Sequence, residues 1–239
     1  MTYCIADIHG CFREFMELLE KIKFNDADTL YILGDVTDRG PKIIECYEYI
    51  FSRPNIICLM GNHEDMMFKY FPGPGEIRNR HWLTQGGDLA LKEISRANKK
   101  KESKEKWEEM FNKIKQWPLY IETEVRGKKY FLSHAGLDLT KTNSRDLHEI
   151  ILWQEDEDFF WTRRNFYERR GPENYHCIFG HTPTTYIRGN DDCRIWTSPI
   201  HYDKTCIDSG CVYGGALAAY RLDDGEAFYV KSRTGSVNG

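Results

Sequence analysis

Five apolar runs in this chain each stop at a residue that can bind a divalent cation. Thr2–Asp7, Thr29–Asp35, Asn55–Asn62, Tyr130–His134 and Cys177–His181 end at Asp7, Asp35, Asn62, His134 and His181. Apolar runs this short, bounded by glycine and polar residues, read as strands buried on both faces. In open α/β sheets, ligands gather outside the carboxyl ends of the strands. Five such ends on one sheet edge would collect oxygen and nitrogen donors into a polynuclear metal centre. Hydrolytic chemistry is the expectation for such a centre.

The elements between the runs favour the same arrangement. Phe12, Phe15, Leu18, Leu19 and Ile22 recur at helical spacing after the first run. After the second, Ile43, Ile44, Tyr47, Ile50 and Phe51 do so, with Pro41 placed for a first helical turn. The order β-α-β-α-β requires parallel pairing and right-handed crossovers. From Glu64 to Trp117 the texture turns aromatic, then charged, with a loop at Pro72–Gly75. This segment, 64–117, reads as a mostly helical insertion covering one side of the site. Arg126-Gly127-Lys128 and Asp223-Asp224-Gly225 read as hairpin turns. The tail after Lys231 is small and polar, and fraying is expected there. With no internal repeat or linker, the 239 residues read as one domain.

Composition narrows the partners. A net charge of -4 carries no nucleic-acid footprint. The lysines at Lys99–Lys101, Lys104 and Lys106 alternate with acids, as on a solvated helix face. No run is long enough to span a membrane. Met1 opens directly onto a strand, so no signal peptide and a cytoplasmic location are expected. The eight cysteines form no C-x-x-C and mostly sit in apolar runs (Cys4, Cys58, Cys177, Cys206), as buried reduced thiols would.

The residues beside the run ends supply the chemistry. Asp7-Ile8-His9-Gly10 sets a carboxylate and an imidazole two residues apart. Gly34-Asp35-Val36-Thr37-Asp38-Arg39-Gly40 holds a carboxylate able to bridge two ions. Gly61-Asn62-His63-Glu64 offers a neutral carbonyl ligand, and Ser133-His134-Ala135-Gly136 and Gly180-His181-Thr182-Pro183 offer imidazoles. Mixed Asp, Asn and His donors without thiolate argue against a structural zinc site. They suit Mn²⁺, Fe or Zn²⁺.

In order, DxHG, GDxxDRG, GNHE, HAG and GHTP resemble the calcineurin-like metallophosphoesterases, and within them the compact bacterial PPP-type serine/threonine phosphatases. The motifs run from Asp7 to Pro183. Val36-Thr37 departs slightly from the second motif, at neither a ligand nor a charge. The resemblance implies an α/β fold, a β-sandwich flanked by helices, with two divalent ions, Mn²⁺ foremost. Asp7, His9 and Asp35 would hold one ion; Asp35, Asn62, His134 and His181 would hold the other. His63 would protonate the leaving alkoxide, oriented by Asp38. Arg39 would fork onto phosphate oxygens with Arg163 of Trp161-Thr162-Arg163-Arg164, Arg164 being the fallback. A hydroxide bridging the ions would attack phosphorus in line.

Several residues carry a structural reading beside a functional one. His81, His148, His176 and His201 match no motif and read as surface or structural groups. Trp82 and Gly86-Gly87 read first as packing of the insertion, and second as pocket lining. Asp208-Ser209-Gly210 reads equally as support for the ligands and as a strand-end turn. Phosphoprotein is the first expected substrate, since diadenosine-tetraphosphate hydrolases of the same fold often lack an Asp at the position of Asp38. A nucleotide hydrolase is the alternative, and a catalytically dead scaffold is disfavoured by the intact ligand set. The oligomeric state stays open.

Overall fold

The computed structural model describes residues 1–71, 81–97 and 101–233. The loop expected at Pro72–Gly75, the lysines Lys99 and Lys100, and the tail from position 234 lie outside the described residues.

Two five-stranded mixed sheets face each other. The first has the order β10-β9-β1-β2-β3, built from β1 (Thr2–Ile5), β2 (Thr29–Ile32), β3 (Ile56–Cys58), β9 (Ala216–Arg221) and β10 (Ala227–Lys231). The second runs β4-β5-β6-β8-β7, from β4 (Tyr120–Val125), β5 (Lys128–Ser133), β6 (His176–Phe179), β7 (Trp196–Thr197) and β8 (Lys204–Cys206). Each has a parallel heart: β1 pairs with β2 and β2 with β3, while β6 pairs with both β5 and β8. The β1-β2-β3 order matches the expectation of parallel pairing.

Strand alternation explains why both faces are apolar. Cys4, Tyr31, Leu33, Tyr130, Leu132 and Ile178 point between the sheets and form the central core. Their neighbours Tyr3, Ile5, Leu30 and Ile32 point outward, beneath α1 (Phe12–Lys21), α2 (Ile43–Phe51) and α3 (Asn62–Tyr70). Phe131, Cys177 and Phe179 point outward beneath α6 (Leu147–Ile151), α7 (Asp156–Trp161) and α8 (Arg164–Tyr167). The result is four layers: helices, sheet, sheet, helices. Phe15, Leu18 and Tyr47 are completely buried under the first helical layer; removing each from water stabilises the fold by roughly 1.5–3 kcal/mol.

Two boundaries differ from the sequence reading. Pro41 lies ahead of α2, which opens at Ile43 after Lys42. Helix α3 begins at Asn62, so Asn62 and His63 occupy its first turn. Its start is fixed by Glu64, which reaches back to the Gly61 amide, as in a capping box. Beyond α3 lie a π-helical turn (Leu83–Gly87), α4 (Asp88–Ala97) and α5 (Lys101–Ile114), packed on the first helical layer. In the β4–β5 hairpin Val125 pairs with Lys128. Its two linking residues, Arg126 and Gly127, have φ of 51° and 77°, the signs a type I′ turn requires.

Candidate metal centre

Six parallel strands deliver six polar residues to one end of the sandwich. Asp7, Asp35 and Asn62 follow β1, β2 and β3; His134, His181 and Asp208 follow β5, β6 and β8. All six are buried. The backbone turns sharply here: Asp7, His9, Asp35, Asp38, Arg39 and His181 all have positive φ, between 45° and 72°. Such conformations cost roughly 1–3 kcal/mol each in residues with side chains. Local hydrogen bonds offset the cost. The His9 and Gly10 amides donate to the Asp35 and Val36 carbonyls, both at 2.9 Å. The completely buried Glu64 carboxylate accepts from the amides of Asp35, Val36, Thr37 and Gly61 at 2.9–3.1 Å. Side chains are excluded at the closest approaches. A Cβ on Gly61 would lie 2.3 Å from Asp35 Oδ1, and one on Gly180 would lie 2.2 Å from Asp7 Oδ2.

Asp35 Oδ2 is the centre of the cluster. The Nε2 atoms of His9, His134 and His63 lie 3.5, 3.5 and 3.9 Å from it. Two groups of donor atoms, His9–Asp35–His63 and Asp35–His134–His181, each lie within 4.8 Å of one another, and they share Asp35. The ring tautomers follow from the outer contacts. His9 Nδ1 donates to the Thr37 carbonyl at 2.7 Å and His134 Nδ1 to the Leu33 carbonyl at 2.6 Å. Each neutral ring then turns a lone pair on Nε2 inward.

The donor set fits a bound cation. Burial holds His134 down to about 4, so at neutral pH it carries one ring proton, already given to Leu33. Yet its Nε2 lies 2.9 Å from Asn62 Oδ1, and His181 Nδ1 lies at the same distance from that oxygen. Asn62 presents its oxygen, not its amide nitrogen, so the His134 contact sets acceptor against acceptor. A cation between such atoms removes the conflict. Burial also pushes Asp35 up to about 7 and Asp208 up to about 6, and a nearby divalent charge would restore both carboxylates.

Not every predicted ligand enters the tight groups. Asp7 lines the same cavity, but its Oδ2 accepts the His181 amide at 2.9 Å. His63, expected as an acid, falls within one of the donor groups. Its Nδ1 is committed to Asp38 Oδ2 at 2.6 Å. Burial lowers His63 and raises Asp38, and their 2.6 Å contact opposes both shifts. Trp82 Nε1 donates to the same Asp38 oxygen at 2.7 Å. Packing against Tyr70 and Phe71 holds its ring. Trp82 is completely buried and does not line the cavity, so it meets the packing reading, and the helical segment reaches Asp38 through it. Gln85 of the same segment lines the cavity.

The arginines separate. Arg163 lines the cavity, with Nη1 3.1 Å from Thr182 Oγ1. Arg164 points outward toward Glu168, at 3.7 Å, and does not line it. Arg39 Nη1 donates to His9 Nε2 at 2.6 Å, and its guanidinium sits 5.2 Å from the Tyr213 ring. A cation taken up by His9 must displace that bond and free the guanidinium. Tyr213 escaped the sequence reading; Asp208 lines the cavity, and its Oδ1 accepts the Gly210 amide at 2.9 Å, as in a strand-end turn. His176 bonds Thr205, a structural contact. Of the eight cysteines all but Cys193 are buried, and all are free thiols.

Residues 2–213 match the calcineurin-like phosphoesterase family. The chain belongs to that family. Among curated relatives of this phosphoesterase is Bis(5'-nucleosyl)-tetraphosphatase PrpE [asymmetrical] of Geobacillus sp. (strain WCH70), 28% identical over 95% of this chain and 93% of the relative. Serine/threonine-protein phosphatase 1 of Salmonella typhimurium (strain LT2) is 26% identical over 92% of this chain and 91% of its own. A crystal structure provisionally named a diadenosine tetraphosphatase superposes with a TM-score of 0.65, covering 98% of this chain and 94% of that one. At 21% identity it shows the fold alone. Among the described residues, no helix is long and apolar enough to cross a membrane.

Proposed function

We propose that this phosphoesterase is a two-metal hydrolase whose lead substrates are bis(5'-nucleosyl) polyphosphates. The convergence of three imidazoles on Asp35 Oδ2 carries the reaction class. Two divalent ions, Mn²⁺ foremost, would supply an activated water and a charge clamp for the phosphoryl group when bound. Asp7, His9 and Asp35 are the proposed ligands of one, and Asp35, Asn62, His134 and His181 of the other. Arg39 and Arg163 bind phosphate oxygens and orient the phosphorus. His63 gives its proton to the departing oxygen, and Asp38 holds the ring for that transfer.

The shape of the site supports the nucleotide substrate. The catalytic cavity holds only about 90 Å³, enough for little beyond a phosphoryl group. It opens past Arg163, Pro183, Gly210 and Tyr213 onto a groove of about 720 Å³. The Geobacillus relative, matched nearly end to end, bears a dinucleoside-tetraphosphatase name. A second reading, phosphoserine or phosphothreonine in proteins, draws on the intact His63–Asp38 contact. A seryl alkoxide needs a delivered proton, whereas a departing phosphate, with a second pKa of about 6, needs little help.

The test is kcat/KM of the purified, Mn²⁺-loaded protein on diadenosine tetraphosphate and on a phosphoserine peptide. We expect the nucleotide to lead by at least about tenfold, a difference of ~1.4 kcal/mol in transition-state binding. The reverse order promotes the second reading, and no turnover of either rejects both.

A further inference from the structure

The groove beside the catalytic cavity is built from two elements that follow site residues. Helix α9 (Thr184–Arg188) comes directly after His181-Thr182-Pro183, and the 3-10 turn Cys211–Tyr213 comes directly after Asp208-Ser209-Gly210. Each contributes an exposed tyrosine to the groove: Tyr186 is 61% exposed and Tyr213 is 62% exposed. Exposed aromatic rings bury little surface of their own, and two beside a reaction centre form a ready stacking platform. Tyr213 also touches Arg39, linking the platform to phosphate recognition.

A second observation points to a ligand. Ser209 lines the groove and is only 3% exposed, yet its hydroxyl has no hydrogen-bond partner. Buried polar groups without partners are costly, and each calls for a missing one. Its oxygen is closed to water in this conformation, so a sugar hydroxyl or a phosphate oxygen satisfies it once the side chain turns toward the groove. At about 720 Å³ the groove falls within the ~300–1,000 Å³ of small-molecule sites.

We propose that this groove is a nucleoside subsite, in which the base stacks on Tyr186 and Tyr213, the sugar meets Ser209, and the phosphates lead past Arg163 to the metal centre. This deepens the nucleotide reading above and rests on it for the direction of the chain of phosphates. Aromatic stacking is indifferent to base identity because every base has a π-face. The subsite therefore favours nucleotides over other phosphate esters without choosing strongly among bases.

The experiment is calorimetric titration of the Mn²⁺-loaded protein with AMP and, separately, with ribose 5-phosphate. These ligands share sugar and phosphate and differ only in the base. In wild type AMP should bind about 5–150-fold more tightly, the gain expected for stacking one base. Tyr186→Ala should remove most of that gain while leaving ribose 5-phosphate affinity and p-nitrophenyl phosphate turnover unchanged; Tyr186→Phe should keep it. Equal binding of the two ligands by wild type overturns the proposal. So does a Tyr186→Ala protein that weakens both ligands alike, or one that loses phosphopeptide turnover while binding AMP normally, since that assigns the groove to a peptide. The two readings fail separately. An AMP advantage without diadenosine tetraphosphate hydrolysis keeps the subsite and sinks the substrate. Hydrolysis without the advantage does the reverse.

Discussion

The two sheets bring unlike chemistry to their common end. The first supplies carboxylates, an amide and the imidazoles of His9 and His63 on loops that brace one another: Glu64 alone ties down four amides across the β2 and β3 loops. The second supplies His134, His181 and the carboxylate of Asp208, and the two histidines are oriented from across the sandwich. His134 Nδ1 donates to Leu33 after β2, and the His181 amide donates to Asp7 after β1. The first sheet therefore acts as a preformed charged base, and the second as a cover docked onto it through its histidines. Charge is concentrated where the backbone is most strained and best hydrogen-bonded, which is where buried carboxylates need the most support.

The sharpest way to break this contrast is at Asp35, the one residue both donor groups share. Asp35→Asn should strip bound metal and nearly abolish turnover. The loss should exceed the roughly 10–100-fold cost of removing a ligand's supporting residue. Metal analysis of the purified variant checks it: two ions per chain with normal rates would mean Asp35 is not the bridge. Next in size is His63→Asn, which belongs to the charged base yet should act on protons alone. Metal content should hold while kcat falls about 10²–10⁴-fold on a phosphoserine peptide. The deficit should shrink on p-nitrophenyl phosphate and diadenosine tetraphosphate, whose leaving groups barely need a proton. Loss of metal would instead make His63 a ligand, a role its place 3.9 Å from Asp35 Oδ2 permits.

The first sheet's contribution was more legible in the sequence than the second's surroundings. Asp7, Asp35 and Asn62 end runs whose length and apolarity already mark strands, and their motif partners lie within a few residues. Glu64 is half legible, since Gly-x-x-Glu at a helix start suggests a cap, but its reach to Val36 and Thr37 comes only from tertiary packing. Trp82 meets Asp38 across 44 positions, and no local periodicity records such a contact. Asp208 ended a visible run, but Asp-Ser-Gly is also ordinary turn chemistry. Tyr186 and Tyr213 left no trace because an exposed aromatic residue sits outside every core pattern. Pro41 misled because a proline suits the position before a helix as well as its first turn.

The second sheet's side can be tested at the paired arginines. Arg163→Ala removes a positive charge from the cavity wall and should lower kcat on any phosphomonoester by about 10²–10³-fold, as loss of one charge-stabilising donor does. Arg164→Ala should stay within about twofold on p-nitrophenyl phosphate, because its side chain lies outside the catalytic cavity, on the adjoining groove. Arg163→Lys should recover only part of the loss, since an ammonium lacks the planar two-donor fork. A large defect confined to Arg164→Ala would move the phosphate contact by one residue, and no defect in either would remove this segment from the site.

The smallest expected effect tests whether the helical segment belongs to the charged base or only covers it. Trp82→Phe keeps an aromatic ring against Tyr70 and Phe71 but deletes the indole donor to Asp38. Asp38 Oδ2 then serves His63 alone, and the imidazole is less firmly held. One hydrogen bond is worth roughly 0.5–1.5 kcal/mol net, so kcat on a phosphoserine peptide should fall by about 3–10-fold. On p-nitrophenyl phosphate it should hardly move, because proton delivery matters little there. This asymmetry separates positioning from packing. A ring that merely fills space would cost thermal stability and leave the two substrates equally affected, whereas a ring that positions Asp38 must reproduce, in miniature, the substrate dependence of His63→Asn. Combining the two substitutions sharpens the point. If Trp82 acts through His63, adding Trp82→Phe to His63→Asn should cost nothing further on the peptide, and additive losses would place Trp82 outside the proton path.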